Sequence, residues 1–267
     1  LHDALPICRI LYEIIPDSKD IDRELVLAAK YGTAFEYNDF MNPDQLDDKE
    51  YCRQKIVFYK SLGRNMSNDT LHGAFIDLVV QSTDSLIRDA SRKRVYQSME
   101  IAQALGVRGV VFHTGLIPNY KDESYMKSWR DGCVRFWRKV LEDFPEQSVY
   151  IENMFDMDAS GMAALGEAMK DQERFGLCLD YAHAVIFGRG ETLENWYQHT
   201  APYVRHMHIN DNNRKYDQHR PLGQGSIDWV RFGEILQNHM NPLSVLLEMT
   251  GWEAQEKSLE FIQDQGW

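Results

Sequence analysis

Six apolar runs in this chain each stop at a histidine, glutamate or aspartate: TLHG, VVFHTG, VYIENM, GLCLDYAH, HMHIND and VLLEMTG. The terminal residues are His72, His113, Glu152, Asp180, His208 and Glu248, separated by 41, 39, 28, 28 and 40 residues. The mean interval, (248 − 72)/5, is about 35. An eight-stranded α/β barrel of roughly 250 residues uses about 31 residues per strand-helix unit and carries its chemistry at the C-terminal ends of its strands. One regularity therefore bears on both fold and site.

The chain has 267 residues and no Pro-, Gly- or Ser-rich linker, so it reads as one α/β domain spanning 1–267, a single (β/α)8 TIM barrel. Residues 1–7 are expected to be non-native or disordered. A hydrophobic content of 43% and a charged content of 26% are ordinary for a globular protein. The net charge of −12 disfavours nucleic acid as a partner and suits a small molecule. Cys8, Cys52, Cys133 and Cys178 form no C-x-x-C pair, which suggests a reducing, cytoplasmic setting and no disulfide scaffold. The start LHDALPICRILYEII lacks a basic leader and is broken by His2, Asp3, Arg9 and Glu13, so it reads as neither signal peptide nor membrane span.

Short apolar or β-branched runs predict strands near 8–15, 33–38, 69–75, 108–113, 148–152, 175–180, 204–209 and 243–248. Between them the pattern predicts helices near 20–31, 44–63, 84–105, 122–143, 160–172, 192–199, 228–239 and 253–265. Asp20, Asn42-Pro43 and Asp228 are helix-start signals, and Gly32, Gly63 and Gly106 stand where left-handed C-terminal caps are needed. The longest strand-to-helix loops follow strands three and seven, so a lid is expected there.

Side chains alternate along a strand with period two, so the last residue of each run can point into the barrel mouth. His183 follows Asp180 by three residues, and Asp217 with His219 forms an i, i+2 pair. The candidate metal ligands are thus His72, His113, Glu152, Asp180, His183, His208, Asp217, His219 and Glu248. Four carboxylates gathered in one mouth would repel and lose solvation unless cations neutralised them. Imidazole mixed with carboxylate suits Zn2+ or Mn2+ better than Ca2+.

The segments LHGAFIDL, VVFHTG, IEN, LDYAHAVIFG, MHINDNN, DQHRPLGQGSIDW and LLEMTG resemble the xylose isomerase-like TIM-barrel superfamily, over about residues 33 to 252. That superfamily contains sugar phosphate isomerases and epimerases as well as the endonuclease IV group. The endonuclease IV resemblance implies a trinuclear zinc site on all nine candidates. The ketose epimerase resemblance implies one metal on Glu152, Asp180, His208 and Glu248, with Glu152 and Glu248 also moving protons as catalytic residues. One to three ions are therefore expected.

Epimerisation needs a metal chelating a carbonyl and adjacent hydroxyl, with an acid/base group on each face of the sugar. Phosphodiester cleavage needs two or three metals around the phosphate. The overall acidity, the isomerase-like HGAFIDLVVQSTD segment and the lack of a long basic loop with aromatic wedges favour a metal-dependent isomerase or epimerase of a small sugar or sugar phosphate. An endonuclease IV-like zinc phosphodiesterase is the alternative, and a barrel that needs a partner chain is a third class. Homo-oligomers through outer helices or loops stay open.

Further substrate contacts are expected from Glu36, Asn38, Arg220 and Trp252, with Glu13, Arg189 and Arg214 as weaker candidates. Phe40, Phe155, Tyr181, Phe187 and Trp229 could stack on sugar faces, although core or rim packing is the more common role of such aromatics. Gly223 and Gly225 in LGQG stand where many barrels bind phosphate, yet two glycines in a loop usually make just a turn. His206 reads as a deeper barrel-interior residue and Cys178 as packing.

Overall fold

The computed structural model describes residues 10–188 and 191–267. The expectation for residues 1–7, the start of the first predicted strand at Cys8 and Arg9, and Arg189 lie outside the described residues. Eight parallel strands close into a barrel in sequence order. They are β1 (Leu11–Ile14), β2 (Ala34–Tyr37), β3 (Thr70–His72), β4 (Gly109–His113), β5 (Ser148–Glu152), β6 (Phe175–Asp180), β7 (Val204–Ile209) and β8 (Ser244–Leu247). The final pairing of β1 with β8, Leu11 opposite Ser244 through Ile14 opposite Leu247, shuts the ring, so none of these eight is an edge strand.

The outer layer holds α1 (Ile21–Tyr31), α2 (Pro43–Asp47), α3 (Lys49–Ser61), α4 (Ser85–Leu105), α5 (Glu123–Asp143), α6 (Ser160–Met169), α7 (Tyr181–Phe187), α8 (Leu193–Thr200), α9 (Trp229–His239) and α10 (Trp252–Gln265). Gly32, Gly63 and Gly106 adopt positive φ, as their positions after helices require. Asp228 caps α9 by accepting the Arg231 N–H. The Asp20 side chain makes no such cap bond, although it stands at the start of α1.

Two helix expectations need correction. The predicted helix 44–63 is two helices, because Asp48 leaves helical geometry and its side chain accepts the N–H groups of Glu50 and Tyr51, starting α3 afresh. The segment after strand six, where no helix is predicted before residue 192, holds helix α7, capped by Asp180, which accepts the His183 N–H at 2.6 Å. A ligand-type residue thus doubles as a helix cap.

Apolar side chains fill the space between barrel and helices, among them Phe112, Trp137, Trp129 and Val140. Inside the barrel Val111, Tyr150 and Cys178 form a separate small apolar cluster. Tyr150 fits because its neighbours are glycines: a Cβ on Gly109 would lie 2.6 Å from its ring. The rest of the interior is polar, with Glu13, Glu36, Thr70, His206 and Ser244 all shut off from solvent. These groups form the floor beneath the candidate site.

Candidate metal centre

The C-terminal ends of β3 to β8, helix α7 and the loop after β7 together bring all nine expected ligands to one mouth. Glu152 is the hub. Its Oε2 lies 3.4 Å from His72 Nε2 and 3.4 Å from His113 Nε2, and its Oε1 lies 3.3 Å from both His183 Nδ1 and His208 Nδ1. Ligand atoms of Glu152, Asp180, His208 and Glu248 all lie within 4.8 Å of one another, as do those of His72, His113 and Glu152. A third group is centred on Asp217, whose Oδ2 lies 3.2 Å from His183 Nε2 and 2.9 Å from His219 Nε2.

Main-chain groups aim these side chains. His72 Nδ1–H donates to the Gly73 carbonyl, His183 Nδ1–H to that of Asn153 and His219 Nδ1–H to that of Glu248, at 3.1, 2.9 and 2.6 Å. Each bond fixes a proton on Nδ1 and turns Nε2 toward a carboxylate, so that Nε2 is the nitrogen that could serve as a metal ligand once its own proton is lost. Asn153 also clasps Asp180, giving its Nδ2–H to the Asp180 carbonyl and taking the Asp180 N–H on Oδ1. Glu248 stands one residue beyond β8, its N–H bonded to the Ile209 carbonyl.

The loop from 210 to 228 delivers Asp217 and His219, and Asp211 organises it. Asp211 Oδ1 accepts the N–H groups of Asn212 and Ile227, and Oδ2 accepts those of Gly225 and the Trp229 indole. A Cβ on Gly225 would lie 2.2 Å from Asp211 Oδ1, so this close approach needs glycine. The same contacts answer the phosphate question raised by LGQG. The Gln224, Gly225 and Ser226 N–H groups are bonded within the loop, to Pro221, Asp211 and Asn212, so the stretch is a packed turn and not an anion cradle.

The charges at the mouth are strongly coupled. Burial disfavours ionised Glu152, but the charge of His208 and the close imidazoles of His113 and His183 hold its carboxyl well below the usual range. Burial, with Glu248 and Glu152 nearby, drives Asp180 well above its ordinary value. Burial works against the cation on His183, yet Asp180, Asp217 and Glu152 outweigh it and raise its pKa. His208 is raised against burial by Cys178, Glu152, Glu36 and Glu248, and His219 is pushed up to about 9, mainly by Asp217. Burial lowers His113.

Several ligand-type atoms are buried without hydrogen-bond partners among the described residues: both oxygens of Glu152, Asp180 Oδ2, His113 Nε2, His208 Nδ1 and Asp217 Oδ1. Buried polar atoms are normally satisfied, and orphaned carboxylate oxygens facing imidazoles are what a cation would complete. The donor set fits one or more divalent ions.

The expected substrate contacts divide. Asn38 follows β2, half-buried, with a buried Oδ1 that has no hydrogen-bond partner among the described residues. Arg220 is exposed on the β7–α9 loop, its main chain paired both ways with Asp211. Trp252 begins α10 with the Arg23 guanidinium 4.6 Å above its ring. Glu36 is a correction: it has no exposure, and its Oε2 takes the Thr70 hydroxyl at 2.7 Å and faces His206 Nε2 at 3.1 Å, below the mouth. Glu13 shares that floor, bonded to Arg108 and Thr70. Phe40, Tyr181 and Trp229 are buried core residues, whereas Phe155 is exposed and packs edge-on against Phe187.

A closed parallel barrel with imidazoles and carboxylates converging at its C-terminal mouth has the architecture of a barrel enzyme whose site could hold metal. A family model described as xylose isomerase-like TIM barrel matches residues 25–265, and the chain belongs to that family. An uncharacterised protein of Methanocaldococcus jannaschii is 28% identical over 204 residues, 72% of each chain. A Chlorobium luteolum protein named probable endonuclease 4 is 27% identical over 207 residues, 67% of this chain and 72% of that one. Among solved structures, a Thermus thermophilus protein soaked with zinc chloride superposes with a TM-score of 0.71 at 22% identity, covering 96% of both chains. A D-tagatose 3-epimerase-like protein also gives 0.71, at 17% identity over 96% and 97%.

Proposed function

We propose that this protein is a divalent-metal-dependent isomerase or epimerase acting on a small sugar or related ketone. The carrying observation is the cluster of Glu152, Asp180, His208 and Glu248, four ligands from four successive strands within 4.8 Å of one another. A divalent ion held there supplies Lewis acidity, which makes a C–H between a carbonyl and a hydroxyl easier to deprotonate. Glu152 and Glu248 are the proton carriers in this reading. Glu248 is the more accessible, at 8% exposure against 0% for Glu152. Neighbours of the same fold that bear sugar-epimerase titles, such as an L-ribulose 3-epimerase, support the substrate class.

The rim favours a weakly charged substrate. Lys121 is already paired with Asp158, and Arg214, Lys215 and Arg220 sit on a single loop that also carries Asp211, Asp217 and Asp228. A net charge of −12 adds long-range repulsion of polyanions.

One observation favours a second reading. Both oxygens of Glu152 face pairs of imidazoles, a bridging arrangement that can join two ions, and Asp217 with His183 and His219 could hold a third. Such a polynuclear site suits phosphodiester hydrolysis. The two readings separate cleanly in solution. The epimerase reading expects solvent deuterium to enter a ketose with Mn2+ or Co2+ present, and this exchange to be lost in Glu152→Gln and Glu248→Gln. No exchange across a ketose panel, together with nicking of an abasic-site duplex that Asp217→Ala abolishes, would replace it with the nuclease.

A further inference from the structure

Three of the mouth histidines are steered by a main-chain carbonyl on Nδ1, but His208 is turned the other way. Its Nδ1 faces Glu152 Oε1 at 3.3 Å and Glu248 Oε1 at 3.7 Å, inside the four-ligand cluster. Its Nε2 points down into the barrel, 3.3 Å from Glu36 Oε1. Neither His208 Nε2 nor Glu36 Oε1 has a hydrogen-bond partner among the described residues; the two buried atoms lie within reach of each other without being aligned as a hydrogen bond. Glu36 is fixed from below, since its other oxygen meets the Thr70 hydroxyl and His206 Nε2.

We propose that Glu36 is a positioning residue for the four-ligand metal site, its carboxylate holding the His208 Nε2–H so that the Nδ1 lone pair is presented to the ion. The inference rests on the metal-dependent reading above. A ligating imidazole is commonly fixed by a partner on its other nitrogen, and a carboxylate there also makes the ligand more basic. The floor has the protons to hold Glu36 ionised in that role. Thr70 Oγ1 lies 2.5 Å from Glu13 Oε2 and 2.7 Å from Glu36 Oε2, yet a hydroxyl donates only once. With Thr70 donating to Glu36, the second contact is a Glu13 carboxylic acid donating to Thr70. Burial raises the Glu13 pKa, which agrees with that assignment.

The test reads metal binding rather than turnover. In wild-type protein loaded with cadmium, nitrogen-15 spectra of the histidines are expected to show His208 coupled to the ion through Nδ1 and protonated at Nε2. Coordination through Nε2 would overturn the proposal without any mutant. In competition titrations with a chromophoric chelator, Glu36→Gln is expected to weaken Mn2+ binding by about 10- to 100-fold. Thr70→Val keeps the Glu36 carboxylate opposite His208 and is expected to stay within about threefold of wild type, a margin taken from the usual size of indirect effects. Equal affinity in Glu36→Gln and wild type, or an equal loss in Thr70→Val, would reduce Glu36 to barrel packing. If the wild type binds no ion, the metal reading fails first, and that result is distinct from the other two.

Discussion

Asp156 shows how far a single side chain can be pushed by its surroundings. Its Oδ2 accepts the Thr114 hydroxyl at 2.8 Å and the Met154 N–H at 3.2 Å, while Oδ1 is buried without a partner among the described residues. Burial raises its pKa to about 6 from 3.8, the two donors only partly opposing the shift. The sign follows from linkage: the folded protein binds this proton more tightly than the unfolded chain, so the stabilisation is complete below about pH 4 and is lost as pH rises toward 6. Above pH 6 the fold carries an unfavourable buried charge. Asp156→Asn is neutral at every pH and keeps an acceptor for Thr114, so we expect it to stabilise the protein by about 1 kcal/mol at pH 7.5 and by little near pH 4. Urea unfolding at the two pH values tests this, and a mutant less stable than wild type at pH 7.5 would contradict it.

At the scale of elements, the β7–α9 loop depends on one carboxylate. Asp211 accepts four N–H groups, and its main chain closes an antiparallel bridge with Arg220 that encloses Asp217 and His219. Asp211→Asn keeps the shape but turns an NH2 group toward donors. The expected cost is about 2–4 kcal/mol from opposed buried donors, with a fall in bound zinc per chain as His219 and Asp217 lose their position. Unchanged urea stability and unchanged zinc content would refute this role. The strand ends were readable in the sequence because period-two alternation runs up to a His, Glu or Asp at or within one residue of the end of each of β3 to β8. The helix α7 was not, since YAHAVIF is too short to show a helical period, and only the Asp180 cap reveals it. Glu36 was misplaced for a related reason: it stands one residue before the end of β2, and only the barrel's stagger shows that it faces the floor under His208 rather than the rim. Asp211 sits in the HIND run, yet nothing in the sequence marks its four distant donors.

Across the whole molecule, the barrel encloses more carboxylates than a dry interior tolerates and compensates with protons where metal is absent. His183, His208 and His219 are raised, and Asp180 is raised with them, whereas His113 is lowered, so without metal the mouth favours protons on those three imidazoles opposite Glu152 and Asp217. Incoming ions must displace those protons, because a ligand nitrogen or oxygen binds metal through the lone pair the proton occupies. The sign is therefore fixed: raising the pH strips the competitor, and apparent metal affinity climbs. With His219 alone titrating near 9, the climb should continue through the neutral range rather than level off at the ordinary histidine value. We expect Zn2+ affinity to increase by at least about tenfold per pH unit between pH 6 and 8, the slope for one displaced proton, and more steeply if several leave together. The same linkage makes metal a stabiliser of the fold, since free ion at 1,000 times its dissociation constant contributes about 4 kcal/mol at a single site. Chelator-stripped protein should therefore unfold at a lower temperature than the zinc-loaded form, with a gap that widens from pH 6 to pH 8. A melting temperature indifferent to chelator, or a gap that narrows as pH rises, would mean that the mouth is held together by its own ion pairs and not by metal.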